Sequence, residues 1–453
     1  MPKKEKVHVL TLGCEKNTVD SEVLMKQLKL NNMELIADPN KADTVIINTC
    51  GFIRDAKQES IETILQAVER KKHGKLGKVI VMGCLSERYA TEMQKEIPEV
   101  DLFIGANKMD KVVQALGGDY KYELLGERLL TTPGHFAYLK ISEGCDRPCS
   151  FCAIPLMRGK HLSKSEDDLV HEAHLLGEQG VKELILIAQE STYYGMDRYG
   201  ERKLASLLDR LSAVDGIEWI RLMYAHPAQF PLDLLDVYNR TPKLCRYLDM
   251  PVQHISDNVL KSMQRGITGR ATRELIQTIR SKVPDIVLRT TLIVGYPNEG
   301  EKEFNELVEF VHEARFDRLG VFTYSQEEDT QAFNLGDPVP NEVKEERKQI
   351  IMEIQKEISL EKNEEYIGKT IRVLVDEQEG DVSHCRTQFD APEIDNSVMV
   401  TSSAHFSPGM FYDVDVTDAM EYDVFALPVG TANQDRPGER SGTADENITV
   451  FSV

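Results

Sequence analysis

No apolar run in this 453-residue chain approaches the ~18 residues that a membrane-spanning helix requires. The opening Met1-Pro2-Lys3-Lys4-Glu5-Lys6 leads straight into a strand-like run and lacks the apolar core of a signal peptide. Both absences point to a cytosolic protein without a membrane partner. Basic charge is also in short supply. Against 54 Lys and Arg stand 75 Asp and Glu, a net charge of −21. Phosphate contacts need Lys and Arg, so such a chain is a poor general binder of nucleic acid. Its field suits a basic partner, unless the acidity serves only solubility. Disulfides are not expected of eight cysteines in a reducing compartment; clustered ones there indicate metal binding or catalysis.

What is present is globular: 41% hydrophobic, 28% charged, mean hydropathy −0.35. The length suits about three domains. Short β-branched or aliphatic runs at 7–12, 44–48 and 78–82 alternate with helix-like stretches at 21–30 and 57–71. That alternation predicts an open parallel α/β domain over residues 1–115. A Gly- and charge-rich linker follows at 116–135. From 136 to 345 six strand candidates recur, at 137–141, 183–187, 219–223, 247–250, 287–294 and 319–324. Helix-like segments separate most of them, for example those at 166–178, 271–282 and 301–314. Six βα units fall short of the eight in a closed TIM barrel, so an open, partial (βα)6 barrel is expected. A charged connecting helix spans 346–365, the end of a Glu- and Lys-rich stretch that begins at 343. Alternating polarity at 370–375 and 410–416, with Glu379-Gly380 and Pro408-Gly409 as turns, predicts a small antiparallel β module over 366–427. The polar tail, 428–453, reads as disordered.

The densest chemical signal is Cys145-Asp146-Arg147-Pro148-Cys149-Ser150-Phe151-Cys152. Gly144 and Pro148 keep this segment from forming a regular helix, so its thiols can converge. It follows the first barrel strand, at the end where barrels carry their catalytic groups. Three thiols are one short of a closed four-ligand site, and a cubane with three protein ligands keeps an open corner. A zinc site completed by a distant residue, or three unrelated thiols, are the competing readings. Cys14, Cys50 and Cys84 form a quieter set. Each sits just past a strand candidate, where open α/β sheets bind ligands. Gly13, Gly51 and Gly83 would allow close approach. Buried cysteines are common, so the competing reading is coincidence. Cys245 and Cys385 lack such neighbours and read as core thiols.

The C-x3-C-x2-C spacing resembles the signature of the radical S-adenosylmethionine (SAM) superfamily. Both triads in this order, with a small β module behind them, resemble its methylthiotransferase family over residues 7–427. The resemblance implies a radical SAM partial barrel with a [4Fe–4S] cluster on Cys145, Cys149 and Cys152. It implies a second [4Fe–4S] cluster on Cys14, Cys50 and Cys84, and a C-terminal TRAM-like β barrel that docks the substrate. In that family SAM binds the open iron and is cleaved to a radical that abstracts hydrogen. The second cluster holds the sulfur, a second SAM supplies the methyl group, and a reducing electron donor is needed. Gln189, Glu190 and Gly295, in segments that end barrel strands, resemble SAM-pocket positions of the superfamily; ordinary loop polarity and a simple turn are the alternatives. Arg158 reads either as an anion-binding residue or as a surface ion pair.

The family divides between tRNA adenosines and one protein target. From 366 to 427 three basic residues face twelve carboxylates, a net of −9. Such a surface repels RNA and attracts a basic protein. The segments 325–330 and 386–395 resemble the branch that modifies an aspartate β-carbon in small-subunit ribosomal protein S-twelve, with Phe389 either a contact or a core aromatic. A tRNA methylthiotransferase acting on a modified adenosine is the alternative within the family, and a non-catalytic Fe–S or zinc module the alternative outside it.

Overall fold

The computed structural model describes residues 4–124, 126–403 and 405–429. From residue 430 onward the polar tail lies outside the described residues.

The first sheet contains β1 (Lys6–Thr11), β2 (Glu34–Leu35), β3 (Thr44–Thr49), β4 (Lys78–Gly83) and β5 (Leu102–Gly105), in the order β2-β1-β3-β4-β5. All pairings are parallel. Every residue of β3 is buried, as a central strand covered on both faces requires. The strand order reverses direction beside β1 and β3, the topological switch point where such sheets bind ligands.

In the central region β6 (Phe136–Lys140) is followed by two short strands, β7 (Ser142–Glu143) and β8 (Leu162–Ser163). These pair antiparallel and pinch the base of the loop between them. The parallel series continues through β9 (Glu183–Ile187), β10 (Trp219–Leu222), β11 (Leu244–Asp249), β12 (Val287–Val294) and β13 (Arg318–Thr323). The six long strands lie side by side in chain order, and no pairing joins β13 to β6 among the described residues. This is the open partial barrel. Its helices carry their own start signals. Ser165 accepts a hydrogen bond from the Asp168 amide at 3.0 Å, and three acidic residues fill the first turn of Glu166–Glu178.

The C-terminal strands are β14 (Thr370–Glu379), β15 (Val382–Arg386), β16 (Ser397–Thr401), β17 (Phe411–Ala419) and β18 (Asp423–Pro428), closed into a barrel. Four pairings are antiparallel as expected. The fifth, β16 with β18, is parallel. The long helix Asn341–Glu364 ties this barrel to the central one: Gln355 donates to the Phe316 carbonyl at 2.9 Å and Asn363 to that of Met420 at 2.8 Å.

The segment between β15 and β16 plugs the central barrel from the amino ends of its strands. Arg386 meets Glu183 at 2.8 Å, and Glu183 also takes the Arg221 guanidinium at 2.7 Å. Arg318 pairs with Asp390 at 2.5 Å, and the Tyr247 hydroxyl donates to Asp395 at 2.7 Å. Glu183 and Arg318 are the first residues of β9 and β13. Phe389, partly buried, packs into the same seam against Tyr366. Part of the acidity of the module is therefore engaged internally. Asp376, Asp390 and Asp395 face arginines, while most of the remaining carboxylates stay outward.

Candidate active site

Cys14, Cys50 and Cys84 follow β1, β3 and β4, three neighbouring strands. Glycine makes their convergence sterically feasible. A Cβ on Gly13 (φ +87°) would stand 2.7 Å from Cys50 Cβ, and one on Gly51 would strike the Leu85 amide nitrogen at 2.7 Å. Asn17 donates to the Leu12 carbonyl at 2.7 Å and the Thr49 carbonyl at 3.2 Å, binding the chain just ahead of Cys14 to that just ahead of Cys50. Cys50 and Cys84 are buried and Cys14 is exposed. Burial pushes the Cys84 thiol up to about 11, and the neighbouring Cys14 and Cys50 add to the rise. Iron binding at such thiols must displace their protons.

The second triad lies in the loop that β7 and β8 pinch, one step removed from the end of β6. No helix forms across Cys145–Cys152; the short helix Ile154–Arg158 begins only after it. Gly144 (φ +71°) is obligatory, since a Cβ there would fall 2.1 Å from the Lys160 carbonyl oxygen. Ser150 anchors the loop to the barrel through the Ser262 carbonyl at 2.7 Å and the Tyr296 hydroxyl at 3.0 Å. Burial raises Cys145 to about 11 and Cys152 to about 12. Arg265 donates to Cys149 Sγ at 3.3 Å, and the Arg147 amide approaches Cys145 Sγ at 3.4 Å.

Among the described residues no three His, Cys, Asp or Glu side chains close on a single metal ion. A cubane offers each thiolate its own iron, so its ligands stand farther apart than those of one ion. All six cysteines are free thiols at the carboxyl ends of strands or in the loop beyond them. Donor chemistry and placement fit two such clusters, each with three protein ligands.

The SAM side fits as well. Gln189 Oε1, His226 Nε2 and Gln253 Oε1 are buried without a hydrogen-bond partner. They follow β9, β10 and β11, successive strands on the active face. Buried polar atoms are normally satisfied, and a polar cofactor would satisfy these. Burial drives His226 well below the usual imidazole range, with Arg265 and Arg147 reinforcing the shift, so its ring is neutral. Tyr224 (φ +62°) and Gln253 (φ +71°) adopt left-handed backbone just past β10 and β11, the kind of local strain that gathers at functional sites.

The three residues expected near SAM are placed differently from one another. Gln189 donates to Glu143 at 2.8 Å and keeps its oxygen free. Glu190 is buried and grips Arg147 at 2.5 Å and the Thr192 amide at 2.7 Å. Gly295 gives its amide to Glu299 at 2.9 Å, and a Cβ there would fall 2.3 Å from Lys344 Cγ, so close packing against the long helix already accounts for the glycine. Arg158 is neither a surface ion pair nor an open anion site. It is buried among Asp20, Glu143, Asn17 and Cys84.

A cavity of about 420 Å³ opens where all three parts of the chain meet. Cys14 and Glu15 line it from the first sheet, Tyr138, Ile187 and Tyr224 from the central barrel, and Glu393 from the C-terminal plug. Glu393, like Tyr224, has a left-handed backbone (φ +69°). A salt-bridged contact holds the first sheet over the barrel: buried Glu327 takes Lys57 at 2.8 Å and Arg88 at 3.1 Å, and Arg88 also reaches the Gly51 carbonyl at 3.2 Å. Sequence reasoning overlooked Arg147, Arg265, Lys140 and Asp20. Arg147 had a signal, since it lies inside the cysteine motif. The other three are spread along the chain and only the fold collects them.

Residues 6–105 match the model described as uncharacterized protein family UPF0004, 139–311 the radical SAM superfamily, and 367–429 the TRAM domain. A protein of Christiangramia forsetii named ribosomal protein uS12 methylthiotransferase RimO is 53% identical over 95% of this chain and 96% of its own length. Proteins of that name from Flavobacterium johnsoniae and Chloroherpeton thalassium are 52% and 53% identical over 94% and 93% of this chain, each covered to 98%. Among solved structures, the radical S-adenosylmethionine methyltransferase TsrM of Kitasatospora setae shares the fold at a TM-score of 0.54 and 12% identity, over 83% of this chain and 79% of that one.

Proposed function

We infer the activity from one premise: the chain belongs to the RimO family of ribosomal protein uS12 methylthiotransferases. It transfers a methylthio group to the β-carbon of an aspartate in small-subunit ribosomal protein S-twelve. Its cofactors are two [4Fe–4S] clusters and SAM. When bound, these supply the radical that removes hydrogen from the carbon, the sulfur that replaces it, and the methyl group that caps the sulfur. A reducing electron donor and a sulfur source complete the reaction. The cytoplasm, where ribosomal proteins are made and assembled, is the place for it, and no described helix is long and apolar enough to cross a membrane.

The protein's own part is placement. Cys145, Cys149 and Cys152 hold the cluster that receives SAM, with Arg265 and the Arg147 amide at their sulfurs. Glu190 fixes Arg147, Gln189 presents its free oxygen to SAM, and Gly295 supports the pocket wall as a tight backbone turn. Cys14, Cys50 and Cys84 hold the second cluster. The cavity beside Cys14 receives the aspartate and excludes water around it. Its rim carries Glu393, on a module whose outward charge suits a basic ribosomal protein and opposes RNA. The observation that carries this reading is the pair of three-cysteine sets, one following β1, β3 and β4 and one in the loop after β7, with Cys14 of the first set opening onto the cavity.

An anaerobic competition tests it. The reconstituted, reduced enzyme with SAM and sulfide receives protein S-twelve and tRNA together, and both are analysed by mass spectrometry. A methylthio gain on an aspartate of the protein is expected. A gain on tRNA alone would keep the chemistry and overturn the substrate.

A further inference from the structure

We propose that Arg158 sets the reduction potential of the second cluster from a loop belonging to the first, by donating a charge-assisted hydrogen bond to the Cys84 sulfur. The inference rests on the reading of Cys14, Cys50 and Cys84 as cluster ligands.

Arg158 ends the short helix that follows Cys152, yet its side chain reaches into the N-terminal domain, to residues of the helices Glu15–Leu30 and Cys84–Glu96. Its Nε stands 3.2 Å from Cys84 Sγ. Nη1 donates to Asp20 at 2.7 Å and to Glu143 at 3.3 Å, and Nη2 to the Asn17 side-chain oxygen. Asn17 in turn holds the carbonyls that precede Gly13-Cys14 and Cys50. One guanidinium therefore touches Cys84 directly and reaches the other two thiol loops through one side chain. Only 4% of the residue is exposed. All three guanidinium nitrogens have protein partners, and the Nε–H is directed at Cys84.

The surrounding charge is balanced. Lys140 also binds Asp20 and meets Glu143 at 2.7 Å, so two cations face two carboxylates. Glu143 continues to Gln189 at 2.8 Å, on the SAM side. The network thus runs unbroken from a second-cluster thiol to the pocket of the first. A buried ion group of this size costs desolvation that apolar residues would avoid, so its retention asks for a use. Hydrogen bonds to cluster sulfurs and nearby positive charge favour the reduced, more negative state and raise the potential. Arginine is suited to this duty because it stays charged and its planar fork serves three partners at once.

The test uses the full chain with Cys145→Ala, Cys149→Ala and Cys152→Ala, which leaves only the second site to load. Iron content and an EPR-monitored redox titration are recorded with Arg158, with R158K and with R158Q. The expected result is a full iron load in all three, a more negative potential in R158Q, and an intermediate one in R158K. A loaded R158Q with the parent's potential overturns the proposal and leaves Arg158 a structural tie. Should R158Q not accumulate as folded chain, R158K carries the decision, since it retains the buried charge but loses the fork; a potential equal to the parent's again overturns it. A parent chain that binds no iron overturns the cluster reading together with the inference.

Discussion

Arg386 of the C-terminal barrel and Glu183 at the start of β9 face each other at 2.8 Å, both buried. Removing Arg386 leaves one Glu183 oxygen without a partner, with Arg221 holding only the other, and also takes the arginine from Asp376. R386L should destabilise the chain by about 3–5 kcal/mol. Urea denaturation followed by circular dichroism measures it. A loss of under about 1 kcal/mol would mean that water relieves Glu183, contrary to a closed seam.

The same pair predicts an acid limit. Burial by itself would raise the Glu183 carboxyl, but Arg386 and Arg221 outweigh it and hold the folded value below its ordinary 4.5. An acid depressed on folding stabilises the fold above its unfolded value, and that contribution is lost as pH falls through the folded value. Stability should therefore decline below pH 4.5, and more steeply in the parent than in R386Q. Urea midpoints along a pH series decide this; equal slopes would remove Arg386 as the cause.

Glu327 holds the first sheet over the barrel through Lys57 and Arg88. In E327A the first cluster and its SAM should be undisturbed while the second site shifts. Small misplacements of reacting groups cost up to about 10²-fold in rate. SAM cleavage should persist and methylthio product should fall by about that factor. Quantifying 5′-deoxyadenosine against modified peptide reads the ratio, and parallel losses of both would contradict the separation.

Substitution of the thiols should divide the reaction the same way. C145A should abolish SAM cleavage, and C50A should spare cleavage but stop sulfur insertion. Sulfur insertion persisting in C50A would sink the two-cluster reading.

Gly13 offers a test without touching a ligand. In G13A the new methyl would stand 2.7 Å from Cys50 Cβ on a backbone that disfavours side chains. Iron per chain should drop to about half, because one cubane of two is lost. A full iron load would mean that the loops can give way.

Much of this architecture was legible because parallel strands are written locally. The run at 44–48 centres on Val45, Ile46 and Ile47, and 183–187 and 287–294 coincide with the observed strands. The two cysteine sets stand out in the sequence because C-x3-C-x2-C, and a Cys beside a Gly just past a strand, are short-range patterns. What escaped was non-local. Strands β15 and β16 read VSHCR and SVMVT, too short and mixed to stand out, and β16 finds its parallel partner β18 only through barrel closure. Asp390 and Asp395 resembled surface acids because their arginines, Arg318 and Arg289, belong to distant strands. Arg158 lies 74 residues from Cys84, and nothing in either neighbourhood announces the pairing.

The plug between β15 and β16 has a consequence for how the molecule is made. Synthesis runs from the amino end, and domains tend to fold as they emerge. Arg221 waits for the carbonyl of Gln388, 167 residues later, and Glu183, Arg289 and Arg318 wait equally for the same stretch. Until it arrives the floor of the central barrel is a set of half-matched charges. The C-terminal barrel is thus a late-arriving part of the catalytic core, and exchanging it for one with another substrate preference would require keeping residues 386–395 with the barrel they close.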